Sequence, residues 1–86
     1  MTTFHFLKIW PEHYQDVISG MKRAELRKND RDYSVGDSLM LKEYQPKNGN
    51  FTGSEVHVVV THITDVSDWL PGYVMLSVGL LARGRS

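Results

Sequence analysis

Apolar and polar positions alternate along Phe4–Ile9, with Phe4, Phe6 and Lys8 on one face and His5, Leu7 and Ile9 on the other. That two-residue period is the signature of a β-strand. The rhythm then changes. Pro11 suits the first turn of a helix, where its missing N–H costs nothing. Tyr14, Val17 and Ile18 recur at helical spacing, and Glu12 and Asp16 favour the positive N-terminal end of such a helix. Gly20 is a natural stop, so the spacing predicts a helix over Glu12–Ser19.

Beyond it, Met21–Arg27 reads as a short strand leaving the helix, and Asn29–Asp32 as a polar turn. Val35-Gly36-Asp37 forms a second tight turn leading into a strand over Ser38–Tyr44. Pro46 and Asn48-Gly49, within Gln45–Asn50, signal a hairpin. Glu55–Ile63 is the longest strand candidate, with Val56, Val58 and Val60 set against His57, Val59 and Thr61. Asp65–Pro71 is a connection and Tyr73–Val78 the last strand. About five to six short strands and one helix after the first strand predict an α+β fold, a small, curved, mixed β-barrel with the helix plugging one side.

Composition narrows this picture. At 86 residues the chain is expected to be one domain, with a core over about residues 4–79 and a polar tail over residues 80–86. Chains of this size bury only about 60–65% of their unfolded surface, which leaves no room for a second core. Hydrophobic residues make up 41% and charged residues 23%, as in ordinary globular proteins. There is no Cys, which removes disulfides, Fe–S clusters, thiolate zinc sites and thiol catalysis together. No apolar run approaches the roughly 20 residues of a membrane span, and the N-terminus lacks the blocks of a signal peptide. A cytoplasmic protein with no membrane partner is the expectation.

Ten Lys and Arg balance ten Asp and Glu, which argues against coating nucleic acid by bulk charge. The balance is uneven, however. Lys22–Arg31 holds five of the ten basic residues (Lys22, Arg23, Arg27, Lys28 and Arg31), with Glu25 and Asp30 against them. A neutral chain with one basic segment meets an anion at a defined place, unless the segment is a strand edge guarded against aggregation. Three features favour the first reading. Glu25 stands two residues from Arg27, on the same face of a strand, where its carboxylate could orient the guanidinium. Lys22 follows the helix end beside Arg23, whose charge would favour a neutral amine. Trp10 and Tyr14 offer aromatic surface for a base, although aromatics in so small a domain are more often needed in the core.

The histidines carry less. His57 and His62 point to opposite faces of a strand, His5 and His13 belong to different elements, and no His-Glu-x-x-His spacing occurs. Neither a metal site nor a cofactor is expected. The serines lack a Gly-x-Ser-x-Gly elbow, and no Gly-rich phosphate loop is present. If the chain is an enzyme, Lys22 and Glu25 are its catalytic centre.

The segment Gly20-x-Lys22-x-x-Glu25-x-Arg27 resembles the Gly-x-Lys-x-x-Glu-x-Arg signature of the ASCH domain, a branch of the PUA-like superfamily. Leu7-Lys8-Ile9-Trp10-Pro11, Gly20–Asp32, Val35-Gly36-Asp37, Thr52-Gly53 and Gly72-Tyr73-Val74 extend the likeness from about residue 5 to residue 78, toward a subfamily common in phages and prophages. The resemblance implies a small β-barrel with the signature at a cleft, and an RNA, nucleotide or nucleoside ligand. Lys22 and Arg27 would face that ligand, while Glu25 orients Arg27 or accepts from a base edge. Lys8, Arg31 and Tyr73 are further binding candidates.

Two related activities bear on catalysis. The chain is similar to an acetylcytidine amidohydrolase at Lys22, but the catalytic Thr of that enzyme falls on Glu25. Its catalytic Glu has no match in Asp65–Gly72, where Asp65 and Asp68 are the acids present. Metal-independent RNA cleavage, with Lys22 as amine or base, asks less of the chain. The expectation is therefore a binding domain with a small footprint around Lys22, Glu25 and Arg27. Its alternatives are an acetylcytidine-type hydrolase, a ribonuclease, or a phage-encoded protein that binds a host protein.

Overall fold

Five strands and one helix follow in the order β1 (Phe4–Ile9), α1 (Pro11–Ile18), β2 (Ala24–Lys28), β3 (Ser38–Gln45), β4 (Asn50–Asp65) and β5 (Tyr73–Arg85). The computed structural model describes residues 3–85, with side chains described through residue 82. The strands form one mixed sheet in the order β1-β3-β4-β5-β2. β1 runs parallel to β3, and every other pair is antiparallel. No helix among the described residues is long and apolar enough to cross a membrane.

The sheet bends into a half-barrel, and the ladder irregularities show where. β4 shifts register against β5 between His57 and Val58 and again between Val60 and His62, and β3 shifts against β4 between Lys42 and Tyr44. An extra residue on one strand increases local twist and bends it. The concave side carries Leu7, Leu39, Leu41, Val56, Val58, Val60 and Leu76, all buried. Tyr14 and Val17 of α1 close over them, as the helical spacing predicts. Strict alternation in β1 sends Leu7 and Ile9 inward and leaves Phe4, Phe6 and Lys8 outside.

Three boundaries differ by three residues or more from the sequence reading, one being that β4 begins at Asn50 and not Glu55. β2 begins at Ala24, not Met21, because Gly20 adopts φ +80° and turns the chain back on the helix end. The expected polar tail is strand for most of its length: β5 continues through Arg85, pairing with β4 as far as Ser54. Ladder hydrogen bonds use only the backbone, so polar side chains do not prevent it. Ser86 lies outside the described residues.

β1 and β2 are the two edges of the sheet, and its curl brings them toward each other. Arg27 Nη2 on β2 donates to the Lys8 carbonyl on β1 at 2.9 Å, across the gap that the half-barrel leaves open. This gap is where the signature segment lies.

Candidate functional site

Placement of the site begins at the end of α1. Gly20 takes the left-handed conformation just past the C-cap residue Ser19, and its N–H donates to the Val17 carbonyl at 3.0 Å. The reversal returns the Lys22 N–H to the Asp16 carbonyl, also at 3.0 Å. Lys22 is thereby fixed beside the helix end before β2 starts. A Cβ at position 20 would meet nothing within 4 Å, so its cost is conformational alone. Gly20→Ala should lose about 1–2 kcal/mol, read as a lower Tm, and should loosen Lys22. An unchanged Tm would show that this turn tolerates another backbone conformation.

Glu25 is the centre of the arrangement. Its side chain points inward from β2 and is only 5% exposed. A carboxylate in that position must be hydrogen-bonded. Lys22 Nζ donates to Oε1 at 2.9 Å, and Arg27 Nε donates to Oε2 at 3.0 Å. Lys22 Nζ also donates to the Ala24 carbonyl at 2.6 Å. Both carboxylate oxygens are thus engaged by the protein. Glu25 holds Arg27 through Oε2, a contact compatible with one of the two roles the sequence left open for it. The partner of Lys22 is a carboxylate, whereas the Arg23 Nε turns away to donate to the Gly20 carbonyl at 3.2 Å.

An ammonium has three donors and a guanidinium five. After the contacts above, Lys22 and Arg27 keep N–H groups beyond those the fold uses. They line a cleft of about 470 Å³ together with Lys8, Ile9, Trp10, His13, Glu25 and Leu26. Ligand sites commonly span roughly 300–1,000 Å³, and the cleft falls within that range.

Trp10 and Tyr14, paired in the sequence reading, separate here. Tyr14 is buried, with its hydroxyl donating to the Glu55 carbonyl at 3.2 Å. Trp10 stays partly exposed, lines the cleft and stacks on Tyr44 at 5.6 Å between ring centroids. His13 also lines the cleft, on the first turn of α1. Nothing in its spacing marked it, because its neighbours in the cleft come from other elements. Lys8 reaches the same cleft and lies 4.4 Å above the Tyr44 ring. Arg31 lines an adjoining groove instead. Tyr73 opens β5 opposite Lys28, outside the described cleft lining.

A second buried polar pair lies at the start of β1. His5 Nε2 donates to Asp37 Oδ2 at 2.8 Å, and the Ser34 N–H donates to the same oxygen at 2.9 Å. The His5 ring also packs against Tyr33, 4.8 Å between centroids. Burial pushes the Tyr33 phenol above its ordinary value, against the opposing pull of the Arg27 and Arg31 charges. Spacing gave no hint of the pair, because His5 and Asp37 stand 32 residues apart. Among the described residues no cluster of three or more His, Asp or Glu could hold a metal ion.

Residues 4–78 match the family model described as "Domain of unknown function (DUF3850)". The chain is also 45% identical over 76 residues to the "Uncharacterized 12.9 kDa protein in GpA 3'region" of Escherichia phage P2. That match spans 88% of this chain and 68% of the relative.

Proposed function

The chain belongs to the DUF3850 family, and on that footing we propose that it is a PUA-like ASCH barrel that binds an RNA base or nucleotide in the cleft at the barrel gap. The observation that carries this reading is the Lys22–Glu25–Arg27 group. A buried carboxylate holds two cations in place by both its oxygens, and the cations edge a nucleotide-sized cleft with Trp10 in its wall. Fixed donors beside an aromatic surface suit a phosphate and its base. The Gly-x-Lys-x-x-Glu-x-Arg segment supports the ASCH assignment, and the half-barrel is consistent with it.

Binding fits the geometry better than turnover does. The two groups named as a catalytic centre hydrogen-bond each other, and neither oxygen of Glu25 is left free of a protein donor to act as a base. Acetylcytidine should therefore remain intact on long incubation with concentrated protein. Its consumption by the wild type, lost in Lys22→Ala, would establish the amidohydrolase reading in place of this one.

The direct test is calorimetric titration with cytidine monophosphate. Hydrogen bonds to charged groups contribute about 1.5–3 kcal/mol, so Lys22→Ala and Arg27→Ala should each weaken binding by roughly tenfold or more. Each loss leaves one oxygen of the buried Glu25 carboxylate without its donor, so Tm should fall as well, and binding is compared at a temperature where both variants are folded. Wild-type affinity in both variants would remove the cleft as the binding site.

A further inference from the structure

The outer face of β1, β3 and β4 carries a row of aromatic rings that the core does not use. Phe6 is 58% exposed and Phe51 53%. Trp10 stacks on Tyr44, and Tyr44 meets Phe51 edge-on at 5.1 Å between centroids. Register explains the row: Tyr44 lies opposite Phe51, and Lys8 opposite Lys42. The cations lie among the rings, Lys8 Nζ above Tyr44 and Lys42 Nζ 5.6 Å from the centre of Phe6.

Between them runs a groove of about 360 Å³, lined by Phe6, Leu7, Lys8, Arg27, Arg31, Lys42 and Phe51. Every charged side chain in that described lining is basic. Lys8 and Arg27 line both the groove and the cleft, so the two adjoin across these residues. Glu55, opposite Lys42 and lining the pocket beyond Phe6 and Phe51, marks where the basic lining ends. Glu43, the other nearby acid, accepts a hydrogen bond from Thr52 Oγ1 at 2.7 Å.

We propose that this groove extends the cleft into a track for a single-stranded oligonucleotide: one nucleotide occupies the cleft, the next phosphate rests on Lys8 and Arg27, and the following bases stack on Phe6 and Phe51. The proposal rests on the cleft reading above and names its ligand class. The charge of the groove selects the occupant. A second protein surface would meet exposed rings beside four cations and no acid in the groove's described lining, although Glu25 pairs with Arg27 and Asp30 lies 4.0 Å from Arg31. A nucleic-acid strand instead brings a phosphate for each step and a flat face for each ring. A duplex would hide the base faces that the rings require. The chain's neutral total fits a short track rather than a coating surface.

The test compares cytidine monophosphate with single-stranded pyrimidine hexanucleotides, as RNA and as DNA, by fluorescence anisotropy or calorimetry at several salt concentrations. One of the hexanucleotides should bind at least tenfold more tightly than the monophosphate. Phe51→Ala and Lys42→Glu, at exposed or partly exposed positions, should reduce that gain at least fivefold while leaving monophosphate binding unchanged. The salt slope for the hexanucleotide should flatten in Lys42→Glu. Two variants of different chemistry guard against a packing defect in either, and Tm reports one directly. Equal affinity for the monophosphate and both hexanucleotides, with monophosphate binding still lost in Lys22→Ala, would overturn the track and leave the cleft standing. Absence of binding by any of them would overturn both.

Discussion

Glu25→Ala should destabilise the protein by about 2–4 kcal/mol and abolish measurable ligand binding together. Removing one member of a buried charge group typically costs about 3–5 kcal/mol, because the remaining charge stays desolvated. Here the survivors are Lys22 and Arg27, whose side chains are 28% and 23% exposed, so water can take up part of the loss. The lower figure reflects that relief. For a domain of this size each kcal/mol moves Tm by roughly 4–8 °C, so the melt should fall by about 8–32 °C. Glu25→Gln separates charge from shape. Its amide can still accept from one cation but cannot hold both, so it should recover part of the stability and little of the binding. Arg27 would then lose the contact that orients it while keeping its bond to the Lys8 carbonyl. A Glu25→Ala protein that melts like wild type and binds cytidine monophosphate equally well would show that the carboxylate is incidental to the cleft.

The centre of this site is legible in the sequence for a geometric reason. Glu25 and Arg27 are two residues apart on a strand and so share a side of it, while Lys22 precedes the strand and is brought to Glu25 by the turn that Gly20 marks in the sequence. The closure of the gap is not legible. The bond from Arg27 to the Lys8 carbonyl joins opposite edges of the sheet, and no pattern of apolar residues encodes how far a sheet will curl. Trp10 illustrates the same limit: its place in the cleft wall depends on Tyr44, which reaches it from β3. The strand β1 was readable because burial imposes alternation on it. The ends of β4 and β5 were not, since Asn50–Ser54 pairs through the backbone with little burial to mark it, and β5 continues past residue 80 in the same way. The aromatic row shows in the sequence only as separate residues. Phe6 and Phe51 become neighbours along one groove through the pairing of β1 with β3 and of β3 with β4.

Asp37→Ala should cost about 2–6 kcal/mol at neutral pH, and the cost should shrink as the medium is acidified. The carboxylate is buried, and burial by itself raises its pKa. Hydrogen bonds from the His5 ring and from the Ser34 and Thr3 backbone outweigh that, so the group is held below the ordinary carboxylate value. A group whose folded pKa is depressed contributes stability that is complete above its unfolded pKa of about 4 and is lost as pH falls through the folded value. The wild type should therefore lose stability below about pH 4, and the Asp37→Ala protein should show a flatter acid limb. At neutral pH the alanine leaves the buried His5 Nε2 and the Ser34 N–H without their acceptor, and each unsatisfied group costs about 1–3 kcal/mol. Asp37→Asn keeps an acceptor for one of these donors and loses the titration, so it should fall between the two at neutral pH with an equally flat acid limb. Urea melts at steps from pH 7 to pH 3 measure all three. Parallel curves for wild type and Asp37→Ala across that range would mean the acid sensitivity arises elsewhere. The position of the pair makes the result informative for the site as well. His5 and Asp37 tie the start of β1 to the turn before β3, and β1 carries Lys8 to both the cleft and the groove. A loosened β1 should therefore weaken oligonucleotide binding in Asp37→Ala even where the protein remains folded.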